Sequence, residues 1–268
     1  MAYSPSWIVL KLARAKQHLD AVNEETRQLV DSKDCGVVVD FETEPGYLII
    51  KAYMRRTPPP LCSIYIGEAL YQIRSALDHL ICYLTEKNGK VVNNKREFPI
   101  FSDRDHFRDP KTGALCSWIL DRIDGLTPQH QALVEREQPF QGKYGAPDDD
   151  PLRWLYCLSN FDRHQFLHLV GTTVVSAHDI FTPQWFADRY LTQITSNFGP
   201  FEGETEVARF RIAAAAHDLT PEVAVQVNSK VSFSVAFDQN GPGLGRPVIS
   251  TLKAIGERAT LILAEFVK

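Results

Sequence analysis

"LCSIYIGEALYQIRSALDHLICYLTEK", residues 61–87, decides the fold. At about 100° per residue, Ile66, Leu70, Ile73, Leu77, Leu80, Ile81 and Leu84 gather on one face of a helix. A stripe that wide and that apolar must be covered, so this is a core helix. It opens after "RTPPP", residues 56–60, because consecutive prolines cannot continue a ladder and the last suits a first helical turn. Three polar residues interrupt it. Arg74 lies at the border of the stripe, Asp78 follows one turn later within i,i+4 pairing range, and His79 points about 140° away from Arg74.

Working outward, Ile8, Leu12, Ala15, Leu19 and Val22 recur at helical spacing among Lys11, Arg14, Lys16 and Glu24, which predicts an amphipathic helix over 5–30. "CGVVVDFE" and "YLIIKAYM", joined by "TEPG", read as a β-hairpin. Prolines at 99, 110, 128 and 139 break the segment 88–145, leaving room for short helices near Trp118–Ile123 and Pro128–Glu137. "DDDPLRWLYCLSNFDRHQ" starts a third main helix, over 151–164, with Asp150 as N-cap and Pro151 at N1. From Phe166 the composition shifts to strand formers in "FLHLVGTTVVSA", "EVARFRIA", "EVAVQV" and "KVSFSVAFD", before a last helix over 247–267. The expectation is an α+β protein: a helical bundle with a small β-hairpin and a C-terminal antiparallel sheet, closed by a C-terminal helix. Residues 1–165 are expected to form the helical part with the hairpin inserted. Residues 166–268 are expected to form the sheet, with the last helix packing back on the bundle.

Charge excludes a global attraction for polyanions, since 29 Lys and Arg face 33 Asp and Glu. Any nucleic acid must be held by a local patch. The five cysteines, at 35, 62, 82, 116 and 157, include no C-x-x-C pair, which fits a reduced, cytoplasmic setting. The apolar run Trp7–Leu10 is too short for a signal segment or a membrane span, so no membrane partner is expected. No cofactor is expected either. "FDQNGPGLGRP" lacks both the G-x-G-x-x-G pattern and the Walker lysine, and reads as a turn before the last helix.

Arg74 and Asp78 can form a boundary salt bridge with His79 solvated or capping. They can also carry chemistry. The spacing Arg-x-x-x-x-His from Arg74 to His79 resembles the signature of the HEPN superfamily, helical nucleotide-binding domains that include many metal-independent ribonucleases. The resemblance implies that His79 moves the proton of a ribose 2′-hydroxyl and that Arg74, beside Asp78, stabilises charge on the phosphoryl oxygens. It also implies RNA as the ligand, a homodimer that builds the site from two such helices, and a role in stress or phage defence.

"SNFDRHQFLH", residues 159–168, sets Asn160, Asp162, Arg163, His164 and His168 where helix hands over to strand. With "IRSALDHL" it resembles a group of uncharacterised bacterial proteins, which implies no particular activity. His164 and His168, four apart, would share a face of a helix or a strand, and with Asp162 or Asp78 would make a three-ligand metal set. Gln165 rules out the H-E-x-x-H form. The structural alternative pairs Asp162 with Arg163 or Arg74. If the helices that begin near Leu61 and Pro151 pack together, both clusters can share a pocket. The leading expectation is a HEPN-like, metal-independent RNA-cleaving or RNA-binding protein. Its competitors are a non-enzymatic module that binds a protein partner and a metal-dependent hydrolase using His164, His168 and Asp162.

Overall fold

Apolar periodicity and proline punctuation place the helices of the computed structural model, which describes residues 3–42, 46–174, 191–196, 200–212, 232–238 and 240–266. Helix α1 spans Pro5–Asp31 and α2 spans Pro60–Lys87. On α2 the expected stripe is buried, with Ile66, Leu70, Leu77, Leu80 and Ile81 wholly out of solvent. Burial of each such side chain contributes about 1.5–3 kcal/mol, so α2 is anchored by its own sequence pattern. Two short helices follow, α3 at Ser117–Ile123 and α4 at Pro128–Arg136, the latter capped by Thr127, whose hydroxyl accepts the His130 N–H.

Helix α5 spans Pro151–Asp162, and the Asp150 carboxylate accepts the Leu152 N–H at 2.8 Å, as its sequence predicted. It ends at Asp162 rather than at 164. The N–H groups of His164 and Gln165 both turn back to the Phe161 carbonyl, so the chain leaves the helix there. Helix α6, Val248–Phe266, closes the described chain.

The strands are β1 (Cys35–Glu42), β2 (Tyr47–Met54), β3 (Leu169–Val174), β4 (Leu191–Ser196), β5 (Pro200–Phe201), β6 (Gly203–Ile212) and β7 (Ser232–Phe237). Among the described residues they form two antiparallel sheets, β1-β2-β6-β4 and β5-β3-β7. The hairpin is real, running from Cys35 opposite Met54 to Glu42 opposite Tyr47, with Gly46 at φ 86° in the left-handed region that glycine enters freely. Its other edge pairs with β6, Tyr47 opposite Arg211 and Met54 opposite Gly203. The hairpin therefore belongs with the later strands and is not an insert of the helical part. The expected strand at 222–227 lies outside the described residues.

The chain divides into two compact units that interleave in sequence. One comprises residues 1–22, 63–167 and 249–268, and the other residues 23–62 and 168–248. The first holds most of the helical structure, including α6, and every side chain of the candidate sites described below except His168. An ionic knot organises its interior: Glu137 and Arg258 are 1% and 2% exposed. Arg258 donates to Glu137 Oε2 at 2.7 Å and to its carbonyl at 3.0 Å, and Lys143 Nζ donates to both carboxylate oxygens. Burial pushes the Glu137 carboxyl up, but the Lys143 and Arg258 bonds outweigh it and hold it below the ordinary range. Arg258 Nε also lies 3.7 Å from Asp150 Oδ1, so the residue that caps α5 is tied to α6. Among the described residues, no helix is long and apolar enough to cross a membrane.

Candidate functional site

Arg74 is 13% exposed, and its Nη2 lies 3.3 Å from Asp78 Oδ1 and 3.6 Å from Glu97 Oε2. Glu97 in turn takes Arg122, so a chain of alternating charge runs from α2 to α3. Asp78 Oδ1 also accepts the N–H of buried Phe98 at 2.9 Å. Burial pushes the Asp78 carboxyl up, while the charge of Arg74 and the Phe98 N–H pull it back. Arg163 adds a smaller pull in the same direction, which makes it an electrostatic neighbour of α2. The i,i+4 pair read from the sequence is therefore present. It leaves Arg74 Nη1 buried without a hydrogen-bond partner.

His79 is half-buried. Its ring meets Tyr3 edge-on, with centroids 5.5 Å apart, and its Nδ1 is buried and unpartnered. Tyr3 is fixed there by its own N–H, which donates to Glu86 Oε2 at 2.7 Å. Burial lowers the His79 pKa, and the Lys11 charge lowers it further, so the ring is neutral at pH 7. Arg74 and His79 thus face different neighbours, as the helical wheel required.

The second cluster does not act as one group. Asp162 packs directly on the backbone of α2, where a Cβ at Gly67 would stand 2.4 Å from Oδ2. Only glycine lets the carboxylate come so close. The expected pairing of Asp162 with Arg74 is not formed, because Arg74 is held by Asp78 and Glu97. Nor does Asp162 pair with Arg163: its carboxylate has no hydrogen bond or ion pair among the described residues, and burial pushes its pKa up. His164 and His168 sit beyond the end of α5 and share no helical face. His168 is exposed just before β3, where its carbonyl accepts the Asp238 N–H. Asn160 stays half-buried on α5. Among the described residues no three His, Cys, Asp or Glu side chains are placed to hold a metal ion, so His164, His168 and Asp162 are not assembled as ligands.

Asp162 and His164 instead line an open cavity of about 710 Å³, together with Arg14 and His18 of α1 and Gly67 and Glu68 of α2. His18 is 6% exposed, with Nδ1 held 3.0 Å from Glu68 Oε2. Its Nε2 has no hydrogen-bond partner among the described residues, and the residue lines the cavity. Burial lowers the His18 pKa, Glu68 offsets part of this, and Arg14 adds to it. A histidine kept neutral and oriented by a carboxylate presents a lone pair on its other nitrogen.

His18 and Glu68 were not among the residues that sequence patterns singled out. One signal existed: His18 stands between Ala15 and Val22 on the apolar stripe of α1, where a polar side chain needs a partner. Thiol chemistry is disfavoured at Cys35 and Cys62, because burial pushes both to about 11. No protein-family model, no curated protein and no solved structure matches the chain.

Proposed function

We propose that the protein binds and cleaves RNA without a metal, as the resemblance to the HEPN superfamily implies, with Arg74 and His79 as the acting residues. The supporting observation is that both motif residues carry a buried nitrogen with no partner, Arg74 Nη1 and His79 Nδ1. Buried polar atoms are almost always satisfied, so these two are open to a group supplied from outside the chain, as are those of Thr85, Arg96, Ser102, His130, Asp150 and Arg258. Asp78 and Glu97 occupy Arg74 Nη2, and Nη1 is buried, so a phosphoryl oxygen reaches it only once the cover over α2 opens. Neutral His79 is suited to take the proton of the 2′-hydroxyl as that oxygen attacks phosphorus. The 5′-oxygen then leaves with a proton from water or from a histidine of a second copy, and the product ends in a 2′,3′-cyclic phosphate. The homodimer and a cytoplasmic role in stress or phage defence rest on the resemblance alone.

A second reading has its own observation. The chain Asp78–Arg74–Glu97–Arg122, with the Phe98 N–H on Asp78, clamps residues 97–98 to α2, which is a structural task suited to a module that binds a protein partner. Incubating wild type and His79→Ala with total RNA in EDTA separates the two. RNA cleavage predicts cyclic-phosphate ends from the wild type and a loss of at least about 100-fold in the variant. If neither protein cleaves, the RNA reading fails and the clamp is the role left to Arg74 and Asp78.

A further inference from the structure

We infer that the cavity between α1, α2 and the end of α5 is a binding site for a protonated organic amine, with the Asp162 carboxylate as its counter-ion and His18 Nε2 as a second acceptor. This site is separate from Arg74 and His79, and does not depend on RNA as the ligand there.

The cavity sets two carboxylates and a histidine beside the donors of Arg14, Gln72 and Gln165. Among the described residues both Asp162 oxygens lack a donor, Glu68 spends only one oxygen on His18, and His18 Nε2 has no hydrogen-bond partner. On the donor side, Arg14 Nη1 is engaged with Gln17 Oε1 at 3.0 Å, while its Nε and Nη2 have no hydrogen-bond partner among the described residues. An ammonium group is the complement, since it has three donors and no acceptor. Two carboxylates, Glu68 and Asp162, face the single guanidinium of Arg14, a balance that disfavours anions, and a metal ion lacks a third ligand among the described residues.

The walls fit the body of such a ligand. Tyr71 and Phe166 flank the cavity and are 64% and 65% exposed, large for aromatic side chains that no apolar neighbour covers. Aromatic faces attract cations, and the structure contains an instance: the Lys11 ammonium stands 5.8 Å from the centre of the Tyr71 ring. The volume lies within the range of small-molecule sites. Asp162 is also positioned at a cost. A glycine in the middle of α2 gives up about 1 kcal/mol of helix stability relative to alanine, and it lets the carboxylate lie on the helix backbone with no donor. An incoming ammonium supplies that donor.

The test is calorimetric titration of the full chain at pH 7.5 with benzylamine, putrescine and spermidine, using benzyl alcohol as the neutral control. The inference expects saturable binding of at least one amine and none of the alcohol. Asp162→Asn, which keeps the shape of the side chain, should weaken that amine by about tenfold or more, the worth of a charge-assisted hydrogen bond. Gly67→Ala, which displaces the carboxylate without removing it, should weaken binding as well, and it carries the test if Asp162→Asn does not fold. Absence of saturation by every amine up to about 10 mM overturns the inference. So does amine binding that survives both substitutions, or benzyl alcohol binding as well as benzylamine. None of these outcomes bears on RNA cleavage, because Arg74 and His79 are intact in both variants.

Discussion

Asp78 shows how much one side chain can carry. It accepts the Phe98 N–H, pairs with Arg74 and does so mostly out of solvent. Replacing it by alanine leaves the Phe98 N–H without its acceptor and Arg74 with Glu97 alone, so Asp78→Ala should cost about 1–3 kcal/mol of unfolding free energy in urea. Asp78→Asn keeps an oxygen for Phe98 and should cost less. Equal losses in the two variants would mean that the charge, and not the Phe98 bond, matters. The Arg74–Asp78 pair was legible in the sequence because i,i+4 neighbours on a helix meet whatever surrounds them. Glu97 was not, because its approach depends on how the segment after α2 returns.

Helix α5 is held at its first turn. Asp150 caps it, Pro151 opens it, and Arg258 of α6 reaches Asp150 and Glu137 at once. Breaking a buried ion pair from one side leaves the other charge stranded, so Glu137→Leu should cost about 3–5 kcal/mol. The double variant Glu137→Leu with Arg258→Met should recover much of that, since replacing both partners by apolar groups is often close to neutral. Chemical denaturation of the two single variants and the double variant measures the coupling; additive losses would show that the pair is not a unit. The ends of α5 divide along the same line. Its start was legible because Asp and Pro act locally, whereas its stop at Asp162 follows from a turn that no single residue type marks.

Among the described residues, His18, His79 and His130 are all held below the ordinary histidine value, chiefly by burial. A histidine in the unfolded chain titrates near pH 6.5 by reference values, so below about that pH the unfolded state binds more protons than the folded one. Their contribution is fully present above the unfolded pKa and is lost as pH falls through the folded values. The melting temperature should therefore be flat above about pH 7 and fall between about pH 6.5 and 5.5. His79→Phe, which keeps an aromatic ring against Tyr3, should remove part of that fall, and an unchanged slope would exclude His79 as a source. Asp78, Asp150 and Asp162, which burial pushes up, act with the opposite sign at lower pH.

The sequence by itself determined the helices, the hairpin and the α+β class. Apolar periodicity, proline and capping aspartate act within a few residues and need no knowledge of the rest of the chain. It also placed Arg74 beside Asp78 and set His79 on another side of α2. Only the tertiary structure decided that the hairpin pairs with β6, that His164 and His168 lie beyond a helix, and that Asp162 rests on Gly67. It alone brought His18 to Glu68, from helices whose separate patterns say nothing of which residues will meet. Strand partners and cavity walls are chosen by packing between segments far apart in sequence, and that choice belongs to the folded chain as a whole.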